Sequence, residues 1–295
     1  MAAEFRDKPL AVARRQGRVV NAMSVDVEDF FHAQALAAAI PRSRWEAQPQ
    51  RVEAATDRIL ALFECHGVRA TFFILSWVAE RCPGLIRRIA AAGHELASHG
   101  REHGRVDLMG ADAFRDDVRR SKRIIEDIGG GPVAGFRAPT FSIGRDSLWA
   151  FEVLAEEGYT YSSSIYPVRR DYYGMAEAPR TPFLPSPRHA IEEYPITTLR
   201  LAGRTLPCGG GGFFRLLPYQ VSRAAIARVN REQRPAIFYI HPWELDPGQP
   251  RVAGLSLKAR LRHTLNLSRT EARLDRLAAD FAWDRMDAVF RPGVA

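Results

Sequence analysis

Strand-length apolar runs alternate with helix-period segments along most of this chain. That alternation restricts it to βα units built around a mostly parallel sheet or barrel. Val19–Asp26 reads as a strand ending in an acidic cluster, and in Val52–His66 the apolar residues at 52, 55, 59, 62 and 63 follow helical spacing. Ala70–Leu75 is a continuous apolar run of buried-strand length, Pro83–Ala92 reads as a helix, and Glu95–Ser98 as a short strand. Ala113–Ile128 places Phe114, Val118, Ile125 and Ile128 on one face ahead of a cap at Gly129–Gly131. Val133–Arg137, Tyr159–Ser163 and Ala236–His241 are further strands, with a helix over Ser147–Glu157. Ser268 followed by Glu271 predicts a capping box before Leu274, Leu277 and Phe281. The stretch Pro167–Pro195, with prolines at 167, 179, 182, 185, 187 and 195, reads as an elaborated surface loop within one domain.

At 295 residues the chain buries a large core without staples. Its longest apolar run, Ala70–Ala79, is interrupted by Thr71 and Ser76 and falls short of a membrane span. The balance of 42 basic against 34 acidic residues leaves +8, and all the basic residues are Arg except Lys8, Lys122 and Lys258. They are spread without a run, so a solvated surface is expected and a nucleic-acid partner is not. Cys65, Cys82 and Cys208 form no C-x-x-C pair, which argues against a disulfide framework or a thiolate zinc site. Met1–Val20 lacks the apolar core of a secretory signal, so a cytoplasmic location is the expectation.

Polar residues stand at the C-terminal ends of the apolar strands, the edge that carries chemistry in α/β barrels. Four such ends are Asp26-Val27-Glu28-Asp29, His99-x-x-x-His103, Arg137-Ala138-Pro139 and Ile240-His241-Pro242. Two His four residues apart, on one side of a helical turn, can share a cation. A carboxylate from elsewhere then completes three ligands and leaves a position open for water. Each feature alone has an ordinary reading as a solvated turn, a salt-bridging Arg or a core His. Their joint order along one βα chain is what points to a site.

That order resembles the polysaccharide deacetylases with a NodB-homology domain, carbohydrate esterase family 4, and within them a subgroup associated with bacterial exopolysaccharide and exosortase gene clusters. The phrases that carry the likeness are SVDVEDFFH (24–32), RATFF (69–73), GHELASHGREH (93–103), GFRAPTFSI (135–143), CGGGGFFRLLP (208–218) and FYIHPWELDP (238–247). The resemblance implies a deformed (β/α)7 barrel over 21–245, loop 165–190 included, with an N-terminal tail 1–20 and a C-terminal extension 246–295 packed on it. It implies one divalent cation, usually zinc, and an N-acetylated oligo- or polysaccharide as partner. His99 and His103 match the metal-binding pair, His241 the general acid, and Arg137 the arginine that orients the base. The usual adjacent aspartates are here stretched to Asp-Val-Glu-Asp. Strand alternation puts Asp26 and Glu28 on one face, so Asp26 is read as base and Glu28 as ligand, with Asp29 the alternative ligand. Thr140 falls where a backbone N–H holds the oxyanion.

Ser162 stands where an acidic partner of His241 is expected, and Glu244 or Asp246 could substitute. His32 is read as lining the cleft or packing, and Phe141 and Trp243 as stacking on a sugar or packing. Gly209–Gly212 lacks the Lys-Ser/Thr of a P-loop and reads as a tight loop near a sugar groove. His66 and His94 read as structural. The function expected is metal-dependent removal of N-acetyl groups from amino sugars of a bacterial (exo)polysaccharide or its precursor. The rivals are an allantoinase-like cyclic amide hydrolase, against which the retained His99 and His103 argue, and a non-catalytic carbohydrate-binding protein on the same fold.

Overall fold

Ten residues, four of them Val and none Gly or Pro, make the central strand β1 (Arg18–Val27), and nine of its ten positions are buried. Burial on both faces is the mark of a strand inside a covered parallel sheet. The computed structural model describes residues 5–169, 173–186 and 188–292. The further strands are β2 (Thr71–Ile74), β3 (Glu95–Ser98), β4 (Gly135–Phe136), β5 (Tyr161–Ser162), β6 (Glu192–Glu193) and β7 (Ile237–Ile240). All pair in parallel, in the spatial order β6-β5-β4-β3-β2-β1-β7. Besides the short helices Ser76–Arg81 and Gly212–Leu216, the helices are α1 (Val52–His66), α2 (Pro83–Ala91), α3 (Ala111–Gly129), α4 (Ala150–Glu156) and α5 (Tyr219–Arg231), followed by α6 (Leu257–Thr264), α7 (Leu267–Asp280) and α8 (Met286–Phe290). The result is the expected deformed seven-stranded barrel. An eighth parallel strand, β8 (Ala282–Asp284), lies off this order and runs beside Val20–Ala22 of β1.

Strand alternation divides the core. Met23, Val25, Phe72, Ile74 and Leu96 join the larger apolar cluster, with Ile59 and Phe63 of α1 and Ile86 of α2. Val20, Ala22, Phe73, Ala97, Tyr161, Tyr239 and Met286 form the second cluster. Along β1 the second set continues as Ser24 and Asp26, so this face is apolar at the start of the strand and polar at its end.

The glycine run continues the sheet past β7. Tyr239 N donates to Gly209 O (2.8 Å), and Gly211 N to Tyr239 O (3.1 Å). A Cβ on Gly210 (φ 117°) would lie 2.1 Å from Tyr239 O, so only glycine lets this backbone reach the strand. The run is thus a backbone partner of β7.

Three expectations change. Pro167–Pro195 is more than a surface loop: it buries Val168, Met175, Ala178 and Phe183 and supplies β6. Two adjacent acids disguised that strand, which is flanked by buried Ile191 and Tyr194; Pro187 lies outside the described residues. Ser268 caps nothing. α7 starts at buried Leu267 with Asn266 at its N-cap, and Glu271 pairs with Arg58 instead. Before residue 21, Arg6–Asp7 pairs with Phe183–Leu184 and Arg14–Arg15 with Arg18–Val19, which ties this stretch into the sheet. No described helix is long and apolar enough to cross a membrane.

Candidate active site

The polar end of β1 meets a buried arginine. Arg137, just past β4 and fully buried, donates from Nη1 to Asp26 Oδ1 (2.6 Å) and to Ser24 Oγ (2.8 Å). Its Nε and Nη2 go to Ser163 O and Oγ, each at 3.1 Å, and its guanidinium lies 4.0 Å from the Phe73 ring. With every direction taken, the arginine has one geometry and fixes Asp26 in it. Removing one member of such a buried pair typically costs about 3–5 kcal/mol, because the other charge is left uncompensated.

Two residues on, Glu28 faces the His99–His103 loop. This loop is not helical, contrary to the expected helical turn. Gly100 (φ 75°) and His103 (φ 53°) curl it left-handed, and the two imidazole centroids come to 5.4 Å. Gly100 is also confined by packing: a Cβ there would meet Asp117 Oδ2 at 2.9 Å. His99 Nδ1 lies 2.8 Å from Arg137 O, an acceptor only, so Nδ1 carries the proton and the Nε2 lone pair is left for another partner. Burial pushes the His99 pKa down to about 4, which keeps that imidazole neutral.

Burial also opposes the charge on Glu28. The His103, His241 and His99 rings nevertheless hold its carboxyl well below the usual carboxylate range. Glu28 Oε1 accepts from Trp243 Nε1 (3.0 Å), whereas Oε2 is buried, makes no hydrogen bond, and lies 2.9 Å from His103 Nε2. Ligand atoms of Glu28, His99 and His103 all lie within 4.8 Å of one another. A buried carboxylate oxygen paired with one imidazole, beside a second imidazole whose tautomer is fixed by a carbonyl, fits a divalent cation. Zinc, nickel, cobalt and iron all accept such a donor set.

Asp29, the alternative carboxylate, is not in this group. Its oxygens accept from the backbone N–H of Phe30 (2.8 Å), Arg51 (2.6 Å) and Val52 (2.9 Å), which ties the end of β1 to the start of α1. Burial raises its pKa against the pull of those three donors. Its capacity is spent on backbone.

His241 follows β7. Its Nδ1 lies 2.7 Å from Glu244 Oε1, while Nε2 is 3.6 Å from Glu28 Oε1 and 3.9 Å from Asp26 Oδ2. Burial works against the imidazolium, but the Glu28, Glu244 and Asp26 carboxylates outweigh it and push the pKa up to about 9. Glu244 is held down at about 2 against its own burial, chiefly by Arg215. Arg215, buried, donates to Glu244 and to the carbonyls of Arg262, His263 and Leu265, each at 3.0 Å. Of the two substitutes considered, Glu244 thus faces His241, whereas Asp246 pairs with Arg51. Ser162 donates to Ser164 Oγ (2.7 Å) and is no partner of the imidazole. Sequence reasoning missed Arg215, although it stands inside a quoted phrase.

Pro139–Phe141 forms a tight turn in which Thr140 (φ 58°) and Phe141 (φ 51°) are both left-handed. Two such non-glycine residues in succession store strain of roughly 1–3 kcal/mol each. Phe141 N donates to Ala138 O (3.0 Å), whereas no described residue takes up the Thr140 N–H. Phe141 packs against Tyr166, Tyr173 and Tyr239, and Trp243 lies between His241 (5.2 Å) and His263 (4.5 Å). Both are more than nine-tenths buried, so neither offers a face to a sugar. His32 also packs, against Phe31, Trp45 and Trp77, and its Nδ1 accepts from Asp29 N (2.8 Å). His94 accepts from Ala70 N (3.1 Å), and His66 pairs with Asp275.

Comparison with known proteins divides the chain. Residues 45–162 match the polysaccharide deacetylase family, and residues 163–291 match a family described as a domain of unknown function (DUF3473). A Bacillus cereus peptidoglycan-N-acetylglucosamine deacetylase is 32% identical over 98 residues, covering 33% of this chain and 36% of that protein. A Helicobacter pylori peptidoglycan deacetylase is 28% identical over 113 residues, covering 38% of each. The chain thus spans little more than a third of these curated relatives. The structure of a Mycobacterium smegmatis protein described as a polysaccharide deacetylase superposes with a TM-score of 0.61 at 16% identity, covering 96% of this chain and 93% of that one. That likeness shows a shared barrel. The matched segment contributes His99, His103 and Arg137, and over residues 45–162 the chain is similar to the polysaccharide deacetylase family.

Proposed function

We propose that this protein is a metal-dependent deacetylase that removes N-acetyl groups from amino sugars of a bacterial exopolysaccharide or its precursor. One observation carries the reading: ligand atoms of Glu28, His99 and His103 lie within 4.8 Å of one another, and His241 Nε2 faces both the Glu28 and the Asp26 carboxylates. The name of the Bacillus cereus relative supports an N-acetylated amino sugar as the substrate class. The phrases shared with the exopolysaccharide-associated subgroup support that polymer.

Glu28, His99 and His103 would hold the cation, zinc by preference. Once bound, it supplies Lewis-acid polarisation of the acetyl carbonyl and a water of lowered pKa. Asp26, fixed by Arg137 and Ser24, takes the proton from the attacking water. The Thr140 N–H donates to the oxygen that gains negative charge, a term worth several kcal/mol where the donor is preorganised. His241, protonated and steadied through Nδ1 by Glu244, gives a proton from Nε2 to the departing amine. Strain at Thr140–Phe141 is the cost of presenting that amide.

The test is acetate release from N-acetylated oligosaccharides by the purified chain, stripped with chelator and reloaded with zinc. Acetate should appear with the reloaded protein only, and Glu28→Ala or His99→Ala should lose both zinc and acetate. Stoichiometric zinc without acetate from any N-acetylated saccharide, or cleavage of a cyclic amide instead, overturns the reading.

A further inference from the structure

Between Asp246 and Glu271 the chain has no carboxylate side chain but carries Arg251, Lys258, Arg260, Arg262 and Arg269. Within this basic stretch, α6 has two faces. Its inner side buries His263, whose ring stacks on Trp243 (4.5 Å, 21°), and Trp243 in turn stacks on His241. Its end is pinned by Arg215 through the carbonyls of Arg262, His263 and Leu265. The outer side exposes Leu257 (61%) and Leu261 (52%), one helical turn apart. Two neighbouring leucines left in water on a firmly anchored helix, with arginines around them, are complementary to a surface that is both apolar and anionic.

We infer that the outer face of α6 docks this protein on an anionic phospholipid bilayer, with Leu257 and Leu261 entering the acyl boundary and Arg251, Arg260 and Arg262 meeting the headgroups. A soluble polyanion such as an acidic polysaccharide accounts for the arginines only. It gives the leucines no partner, since sugars are recognised by flat aromatic faces rather than branched aliphatic ones. α6 is separated from His241 by the single ring of Trp243, so docking there brings the catalytic rim to the membrane surface. Only the consequence rests on the deacetylase reading: a saccharide held at the bilayer would be the preferred substrate over the same saccharide free in solution.

The test is vesicle co-sedimentation of the full chain, which needs no turnover. Vesicles of phosphatidylcholine with about a third phosphatidylglycerol should bind it at least tenfold better than phosphatidylcholine alone, since each basic side chain near an anionic surface contributes roughly fivefold. Leu257→Asp/Leu261→Asp should reduce binding to the mixed vesicles by roughly tenfold per leucine. Arg260→Glu/Arg262→Glu should reduce it and remove its salt dependence. Thermal melts and acetate release from a soluble oligosaccharide should match wild type in both variants, because none of these side chains touches the site. Failure to bind the mixed vesicles, or equal binding by the leucine variant, overturns the inference. So does an equal loss of binding to heparin in the leucine variant, which would make the face a polyanion site. Because binding is read without catalysis, a protein that docks yet releases no acetate would refute the deacetylase reading and leave this one standing.

Discussion

Trp243→Phe isolates one hydrogen bond. In the wild type, Trp243 Nε1 donates to Glu28 Oε1 at 3.0 Å with both groups buried. Phe keeps an aromatic ring between His241 and His263 while deleting the donor. The lost bond goes to a charged acceptor and is worth about 1.5–3 kcal/mol. Its loss is felt by the cation because a competitor stands ready: His241 Nε2 lies 3.6 Å from the same oxygen. Without the indole, Glu28 swings toward that imidazole and must be drawn back for Oε2 to serve as a ligand. Removing a group that orients a ligand typically costs 10–100-fold in metal affinity, about 1.4–2.7 kcal/mol, which agrees with the hydrogen-bond figure. Zinc titration against a competing chelator reads the affinity, and a thermal melt of the metal-free protein confirms the fold. Zinc affinity within twofold of wild type, with the fold intact, would refute the claim that Trp243 orients Glu28.

Other outcomes follow from the same geometry. Asp29→Ala orphans three backbone N–H groups at the end of β1 and the start of α1, so calorimetry should show about 2–4 kcal/mol of lost stability while zinc stoichiometry persists. Glu28→Ala should do the reverse, and loss of zinc from Asp29→Ala with an unchanged melt would exchange their roles. Glu193 is a pH lever: burial raises its pKa from 4.5 to about 7, so the folded state holds the proton longer than the unfolded chain. Its contribution is therefore fully present below about pH 4.5 and lost as pH rises to about 7, a decline of up to about 3 kcal/mol. Urea unfolding at pH 5 and pH 8 should show that decline reduced in Glu193→Gln, and an unchanged pH slope contradicts it. Asp26→Asn and His241→Ala should keep zinc while turnover falls by about 10²–10⁴. Only His241→Ala should be partly rescued by acetyl esters with a nitrophenolate leaving group; equal loss on amide and ester would remove His241 from the acid role.

What could be read in the sequence was whatever depends on neighbours along the chain. The span of α1 follows from apolar spacing alone, and the Val-rich composition of β1 places that strand to within one residue at each end. The features that stayed hidden are those decided by partners far away. β6 is two glutamates, and nothing local says that Glu193 will be buried against the Ser164 and Ile165 amides. Phe141, Trp243 and His32 could equally have been sugar platforms, since an aromatic reads the same whether its face meets solvent or another ring. The His99–His103 spacing suggested a helical turn, yet the pair converges through two left-handed residues, a geometry that the interval of four does not encode.

The partner of His241 shows why a single position is a poor guide to a missing role. What the imidazole requires is a buried carboxylate at Nδ1 with a cation of its own, and any element that reaches Nδ1 can supply it. Here the turn after β7 supplies Glu244, and Arg215 keeps it ionised. At the end of β5 the same role would be hard to sustain. Glu193 already lies there, buried and raised to about 7, accepting from the Ser164 and Ile165 amides. An aspartate at Ser162 would add a second carboxylate to that enclosure, and like charges in a desolvated space push one another toward the neutral form. The serine hydroxyls at 162 and 164 satisfy each other without charge. The absence of an acid at 162 and the presence of one at 244 are therefore two parts of one arrangement, in which the carboxylate stands in the turn after β7 with Arg215 as its own cation.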